Sequence, residues 1–275
     1  MFKGTLFICP TPIGNLEDIT LRTLRVLEEV DLIAAEDTRR TIKLLNHYNI
    51  KKPLTSYHEH NSIKKGRVLL EKLKKGEDIA LVSDAGMPGI SDPGEDLIKE
   101  SIEEDIEVVV LPGATASITA LVISGLSTEK FAFEGFLPSD RKNRIKELER
   151  LKNEERTIIL YESPYRLIDL LTDMKKVLGN RKISISRELT KVYEETFRGT
   201  VEDGIEEFKK QKKGEFVVIV EGGEKNEENP FEKISIKNHL KMYIEKGFSK
   251  KDAVKKVAKE RGLPKNQVYK ESINI

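Results

Sequence analysis

Residues Ala80 to Gly94 read ALVSDAGMPGISDPG, an apolar strand that runs directly into a loop rich in glycine and proline. Gly86, Gly89 and Gly94 permit backbone conformations and close approaches that a side chain forbids, Pro88 and Pro93 fix φ, and Asp84 and Asp92 offer acceptors. In an open α/β sheet the crevice beyond the carboxyl ends of the strands receives ligands. The loop is therefore the leading candidate for a binding element, although the same pattern also makes a plain connection.

Outward from this loop, short β-rich apolar runs alternate with helical patterns over the first 220 residues. Thr5–Cys9, Leu32–Ala35, Ile79–Val82 and Val108–Leu111 are expected as strands, with Leu21–Val30 and Arg67–Lys74 as helices between them. That alternation argues for a parallel sheet with crossover helices. The turn Leu111-Pro112-Gly113 closes the first unit, and the amphipathic run Thr115–Ser124 opens a second. Its expected strands are Lys130–Glu134, Thr157–Tyr161, Ile183–Arg187, Val192–Val201 and Phe216–Val220, with helices at Arg141–Leu151 and Pro164–Val177. Val192–Val201 follows its neighbour too closely for a helical crossover, so this sheet is expected to be mixed.

The expected organisation is an α/β domain over 1–113, a second α/β domain over 114–223, and a basic helical tail over 231–275. GGEKNEENP, residues 222–230, is polar and turn-forming, which suits a linker. In the tail, Ser249 and Asp252 resemble a capping arrangement ahead of DAVKKVAKE, Gly262 ends that helix, and Pro264 starts a short final one. A helix-turn-helix-like module fits, expected to pack on the body for want of a core of its own.

At 275 residues, 38% hydrophobic and 35% charged, the chain is globular rather than disordered. Its single cysteine, Cys9, excludes an internal disulfide framework, and no His/Cys cluster has metal-site spacing, so a reducing compartment and no metal are expected. The N-terminus lacks a signal-peptide pattern and no apolar run reaches ~18 residues, which reads as cytoplasmic, with no membrane partner. The net charge of +1 hides a division: residues 231–275 carry 12 Lys and Arg against 5 Asp and Glu, leaving 36 against 42 for residues 1–230. Such a tail either attracts nucleic acid or presents a solvated face.

The first βα junction, CPTPIGNLEDIT, lacks both the glycines of a dinucleotide fingerprint and the Gly-Lys-Ser/Thr of a phosphate loop. The other strand ends carry AEDTRR (35–40), LPGATAS (111–117), YESPYR (161–166), RELTK (187–191) and VIVEGG (218–223). In that order, and over nearly all of residues 4–223, these segments closely resemble the tetrapyrrole (corrin/porphyrin) methyltransferase family, the class III S-adenosylmethionine enzymes. PTPIGNLEDIT, AAEDTR, LVSDAGMPGISDPG, EGFLP, YES and SRELTK are similar to its branch acting on small-subunit ribosomal RNA.

The resemblance implies two α/β domains with S-adenosylmethionine in the cleft between them, and a homodimer. It also implies 2′-O-methylation of a cytidine ribose in 16S ribosomal RNA of the 30S ribosomal subunit. It places cofactor contacts on Asp84, Ala85 and Gly86, followed by Gly89 and Ile90, on Thr115 and Ala116, on Tyr161 and Glu162, and on Pro12. Small-molecule members have Gly-x-Gly-Pro-Gly-Asp where this chain has Thr11 to Asn15, and Gly-Gly-Asp-Pro where it has Asp84 to Met87. Those departures favour the RNA branch over the porphyrin branch.

Methyl transfer from a sulfonium is an in-line displacement that positioning accelerates, and a ribose hydroxyl needs a proton acceptor within hydrogen-bond reach. Candidates are Glu36 and Asp37, Asp84 or Asp92, Glu162, and Glu188 with Lys191. The AEDTR cluster is favoured, with Arg39 holding a phosphate or orienting the carboxylate. Against it stands the plain reading that carboxylates after a strand cap the next helix. His58 and His60 could reach RNA, but two histidines without a third ligand seldom make a metal site. Arg22, Arg25, Arg39 and Arg40 could line an RNA path or be merely solvated. Lys250, Lys251, Lys255, Lys256 and Lys259 are better RNA-binding candidates because they sit in the one basic segment. Tyr161, Tyr165 and Tyr193 could stack bases or belong to the core. Two rival readings are a small-molecule tetrapyrrole methyltransferase and a regulator whose tail reads DNA.

Overall fold

The computed structural model describes residues 3–210, 214–223, 231, 234–261, 263–273 and 275, so the segment 224–230 and Gly262 lie outside the described residues. Chain contacts divide it into two units, residues 1–223 and residues 224–275. In the first, β1 (Thr5–Ile8), β2 (Leu32–Ala35), β3 (Leu54–Ser56), β4 (Ile79–Val82) and β5 (Glu107–Val110) form a wholly parallel sheet in the order β3-β2-β4-β1-β5. Every residue of β2 and β4 is apolar and buried, as a strand covered on both faces requires.

The intervening helices are α1 (Leu21–Glu29), α2 (Thr38–His47), α3 (Ser62–Lys74) and α4 (Glu95–Glu103). Alternate strand residues sort to two cores. Leu6, Ile8, Leu32, Ala34, Ile79 and Leu81 pack with residues of α3 and α4, and Ile33, Ala35, Ala80 and Val82 pack with residues of α1 and α2. Cys9 lies in the second core, and burial pushes its thiol up to about 12. β1 and β4 are neighbours whose chains leave in opposite directions, one toward β2 and the other toward β5. This is the topological switch point at which open α/β sheets bind ligands.

The remainder of the first unit comprises α5 (Ala116–Ser124), β6 (Phe131–Phe136), α6 (Arg141–Arg150), β7 (Thr157–Glu162), α7 (Leu167–Leu178), β8 (Lys182–Arg187), β9 (Glu195–Thr200), α8 (Val201–Glu207) and β10 (Phe216–Val220). The second sheet runs β6-β7-β10-β8-β9 and is mixed as expected: β6 and β7 are parallel, and the other pairs antiparallel. α6, α7 and α8 supply residues to the core on one face, while Ala120 and Leu121 of α5 pack on Ile159, Val217 and Ile219 on the other. β9 begins three residues later than the sequence suggests, because Val192 and Tyr193 stand 93% and 76% exposed in the preceding turn.

In the second unit, Ser249 accepts the Asp252 N–H at the start of α10 (Lys250–Glu260), which lies between α9 (Ile236–Glu245) and α11 (Lys265–Ser272). Leu240, Ala253, Val254, Val257, Ala258 and Val268 are buried together. The expectation that this tail lacks a core is thus corrected: all three helices contribute apolar residues to one. No described helix is long and apolar enough to cross a membrane.

Candidate active site

Three loops converge where β1 and β4 diverge. Thr11 N–H donates to the Gly86 carbonyl (2.9 Å) and Gly86 N–H to the Thr11 carbonyl (3.0 Å), closing a two-residue bridge between the first loop and the glycine loop. Gly86 holds φ +84°, and a β-carbon there would meet Ile13 Cγ2 at 3.3 Å. The β2 and β4 loops are tied reciprocally: Asp37 N–H donates to Asp84 Oδ1 (3.0 Å), and Asp84 N–H donates to Glu36 Oε2 (3.1 Å). The first loop also grips the turn after β8. Asn15 N–H donates to Thr190 Oγ1 (2.9 Å), and Gly14 fits so closely that a β-carbon would lie 2.5 Å from Lys191 Cγ.

These loops and the second sheet enclose a cavity of about 890 Å³. Pro12, Asp84, Ala85, Gly86, Ile90, Thr115, Ala116 and Tyr161 line it, whereas Gly89 and Glu162 do not. The Glu162 side chain is wholly buried, accepts the Ser163 N–H (2.8 Å) and lies 3.3 Å from Arg166 Nε. Sequence reasoning did not single out Ser83, Phe136 or Glu215, which also line the cavity. Glu215 is a lone acid ahead of a strand, and only the antiparallel placement of β10 brings it here.

The carboxylates of AEDTR part company. Glu36 lines the cavity, and burial raises its pKa, opposed by the hydrogen bond from Asp84 N–H. Asp37 and Arg39 are not among the lining residues. Asp37 caps α2 and is held by the Arg39 side chain (2.7 and 3.0 Å), which, with the Arg39 N–H, lowers its pKa to about 2. Asp92 behaves oppositely. Burial, then the negative charge of Glu36, lifts it to about 7, while a hydrogen bond with Ser83 acts against the rise. Tyr161 lies against Ser117, and burial raises its pKa.

Five acids, Glu36, Asp84, Asp92, Glu188 and Glu215, line the cavity beside Arg40, Lys43 and Lys191. Two of those cations are paired, Arg40 with Asp84 (3.2 Å) and Lys191 with Glu188 (3.0 Å). No group of three His, Cys, Asp or Glu among the described residues could hold a metal ion. His58 Nε2 lies 3.0 Å from Asn61 Nδ2 within its own turn, and Arg25 pairs with Glu29 (3.2 Å) on the α1 surface. In the tail unit Lys250, Lys251, Lys255, Lys256 and Lys259 are all exposed on α10. Lys256 differs from the rest in lying over the rings of Phe248 (4.4 Å) and Tyr243 (5.0 Å).

Residues 5–204 match the family described as Tetrapyrrole (Corrin/Porphyrin) Methylases. The "Ribosomal RNA small subunit methyltransferase I" of Halalkalibacterium halodurans is 54% identical, over 97% of this chain and 94% of its own. The protein of the same name from Thermotoga maritima is 52% identical over 222 residues, 80% of this chain and 100% of its own. Among solved structures, a uroporphyrin-III C-methyltransferase from Thermus thermophilus complexed with S-adenyl homocysteine superposes with a TM-score of 0.58 at 15% identity, covering 80% of this chain and 98% of its own. The glycine loop at the switch point, the mixed second sheet and these likenesses over nearly the whole chain agree: the protein belongs to the tetrapyrrole (corrin/porphyrin) methylase family, alongside the small-subunit ribosomal RNA methyltransferases I.

Proposed function

We propose that this chain is a cytoplasmic, homodimeric S-adenosylmethionine-dependent methyltransferase that modifies the 2′-oxygen of a cytidine ribose in 16S ribosomal RNA of the 30S subunit. The observation that carries the reading is the acidic cavity, combined with relatives named for small-subunit ribosomal RNA methylation. Its donor set suits the cofactor: carboxylates face a sulfonium and an ammonium, and the Asp84–Met87 and Thr115–Ser117 segments bring backbone close. Pro12, Asp84, Ala85, Gly86, Ile90, Thr115, Ala116 and Tyr161 would hold it. When bound, S-adenosylmethionine supplies an electrophilic methyl group. A porphyrin carrying several carboxylates meets repulsion in the same cavity, whereas a ribose hydroxyl is neutral and its phosphates can remain outside.

The chain's own groups then have one proton to manage. Asp92 and Glu36 face the cavity with raised pKa values and serve as the proton acceptor for the 2′-hydroxyl. Asp37 and Arg39 hold the α2 end and thereby the backbone that orients Asp84. Lys250, Lys251, Lys255 and Lys259 attract phosphates, with Lys256 contributing charge above its ring pair. The tail is assigned a part in RNA affinity, with the methyl-transfer chemistry carried by residues of the first unit.

Radiolabelled S-adenosylmethionine incubated with 30S subunits from cells lacking the enzyme, followed by nuclease digestion and mass spectrometry, tests the reading. Label on a single cytidine ribose is expected. Cofactor binding without RNA labelling would overturn it in favour of a small-molecule acceptor.

A further inference from the structure

Beside the cavity lies a smaller crevice of about 140 Å³, which shares Pro164 and Phe216 with it. Leu167, Ile168 and Phe208 complete an apolar wall, Lys209 stands at its edge, and Tyr165 lines it with 82% of its surface exposed, more than any other aromatic residue described. The turn beneath Tyr165 is anchored on both sides. Arg166 N–H donates to the Ser163 carbonyl (3.2 Å), and the Arg166 guanidinium donates to the carbonyls of Leu137 (2.7 Å) and Pro138 (3.2 Å). The ring is thus carried on a turn held by these hydrogen bonds and is left open to solvent at the mouth of the crevice.

We propose that this crevice receives an unstacked nucleobase next to the acceptor nucleotide, with Tyr165 as its stacking face. The inference rests on the RNA reading given above. For a ribose hydroxyl to enter the cavity, its nucleotide must leave the regular stack, and the neighbouring base then exposes two apolar faces and a polar edge. Aromatic side chains accept such bases without regard to sequence. The apolar wall of the crevice suits the faces, and its position across Pro164 and Phe216 from the cavity suits a base one nucleotide away.

Tyr165→Ala is expected to raise KM for small-subunit RNA about tenfold, with kcat and calorimetric affinity for S-adenosylmethionine unchanged, and Tyr165→Phe to restore it. The chain contains no tryptophan, so Tyr165→Trp introduces a lone fluorophore at the crevice. Saturable quenching of that indole by protein-free small-subunit ribosomal RNA is expected. An unchanged KM for Tyr165→Ala, or RNA that binds without quenching, would overturn the proposal. So would a change of mass in light scattering on Tyr165→Ala, which would assign the crevice to a second copy of the chain. If the wild-type protein methylates no RNA while the indole is still quenched, the reaction assigned above fails and the crevice stands.

Discussion

In the parallel sheet the cavity is met by loops leaving the carboxyl ends of β1, β2 and β4, whereas in the mixed sheet it is met by the end of β7, the turn after β8 and the start of β10. Both arrangements bring chain to one edge, the first because all strands share a direction, the second because β10 runs against β7 and β8. The two edges are held differently. On the parallel side, loops are tied to one another by backbone and carboxylate hydrogen bonds within a few residues of the strands. On the mixed side, the turn after β8 is held by the first loop at Gly14 and Asn15. Non-glycine residues in the left-handed region, which costs on the order of 1–3 kcal/mol each, occur on both edges: Glu188 (φ +50°) and Thr190 (+65°) in that turn, and Ser91 (+61°) in the glycine loop. One half is therefore a frame of mutually bonded loops, and the other carries a turn that this frame grips.

The comparison breaks most visibly if the proton-handling carboxylate belongs to the frame. Asp92→Asn should lower methyl transfer by about 10²–10⁴-fold at neutral pH with cofactor affinity retained, measured by single-turnover labelling. In the wild type, the rate should rise with pH as Asp92 ionises around 7. Stability should move the other way. The native carboxyl binds its proton more tightly than the unfolded one, near ~4, so the wild type loses stability as pH rises from there to about 7. Melting curves should then show Asp92→Asn gaining relative to wild type across that window and holding its gain above it.

A smaller effect tests the grip between the halves. Gly14→Ala places a methyl group 2.5 Å from Lys191 Cγ and 2.7 Å from the Leu189 carbonyl, and should cost about 1–3 kcal/mol in denaturant titrations. Gly86→Ala stays within the frame. Its φ of +84° should cost about 1–2 kcal/mol, with a weakened calorimetric affinity for S-adenosylmethionine, whereas Gly14→Ala should chiefly affect RNA turnover. Smallest is Thr190→Ala, which removes the acceptor of Asn15 N–H and should cost about 1 kcal/mol. A greater loss from Thr190→Ala than from Gly86→Ala would reverse the assignment of frame and gripped turn.

How much of this was legible in the sequence varies with the kind of information each feature needs. β2 and β4 were readable to the residue because both faces are buried, which leaves unbroken apolar runs. β3 was not, since Leu54–Ser56 spans three partly buried residues and offers no period. Gly86, Gly89 and Gly94 all take positive φ, as their places in a turn-rich loop suggest. Which acids share a cavity was hidden. Asp37 follows Glu36 directly yet serves as the α2 cap, while Glu215 joins through the direction of a strand that periodicity does not encode. The tail's core escaped notice because Leu240, Val254, Val257 and Val268 come singly or in pairs from three helices crowded with lysine.

Cys9, fully buried in the core between the parallel sheet and its first two helices, has a further consequence. With its pKa near 12 almost no thiolate exists at neutral pH, and the thiolate is the reacting species. Reagent reaches it only when that layer of the protein opens. Because the chain has no other cysteine, the rate at which a thiol reagent modifies the native protein is a clock for openings of the first sheet, built in without any added label.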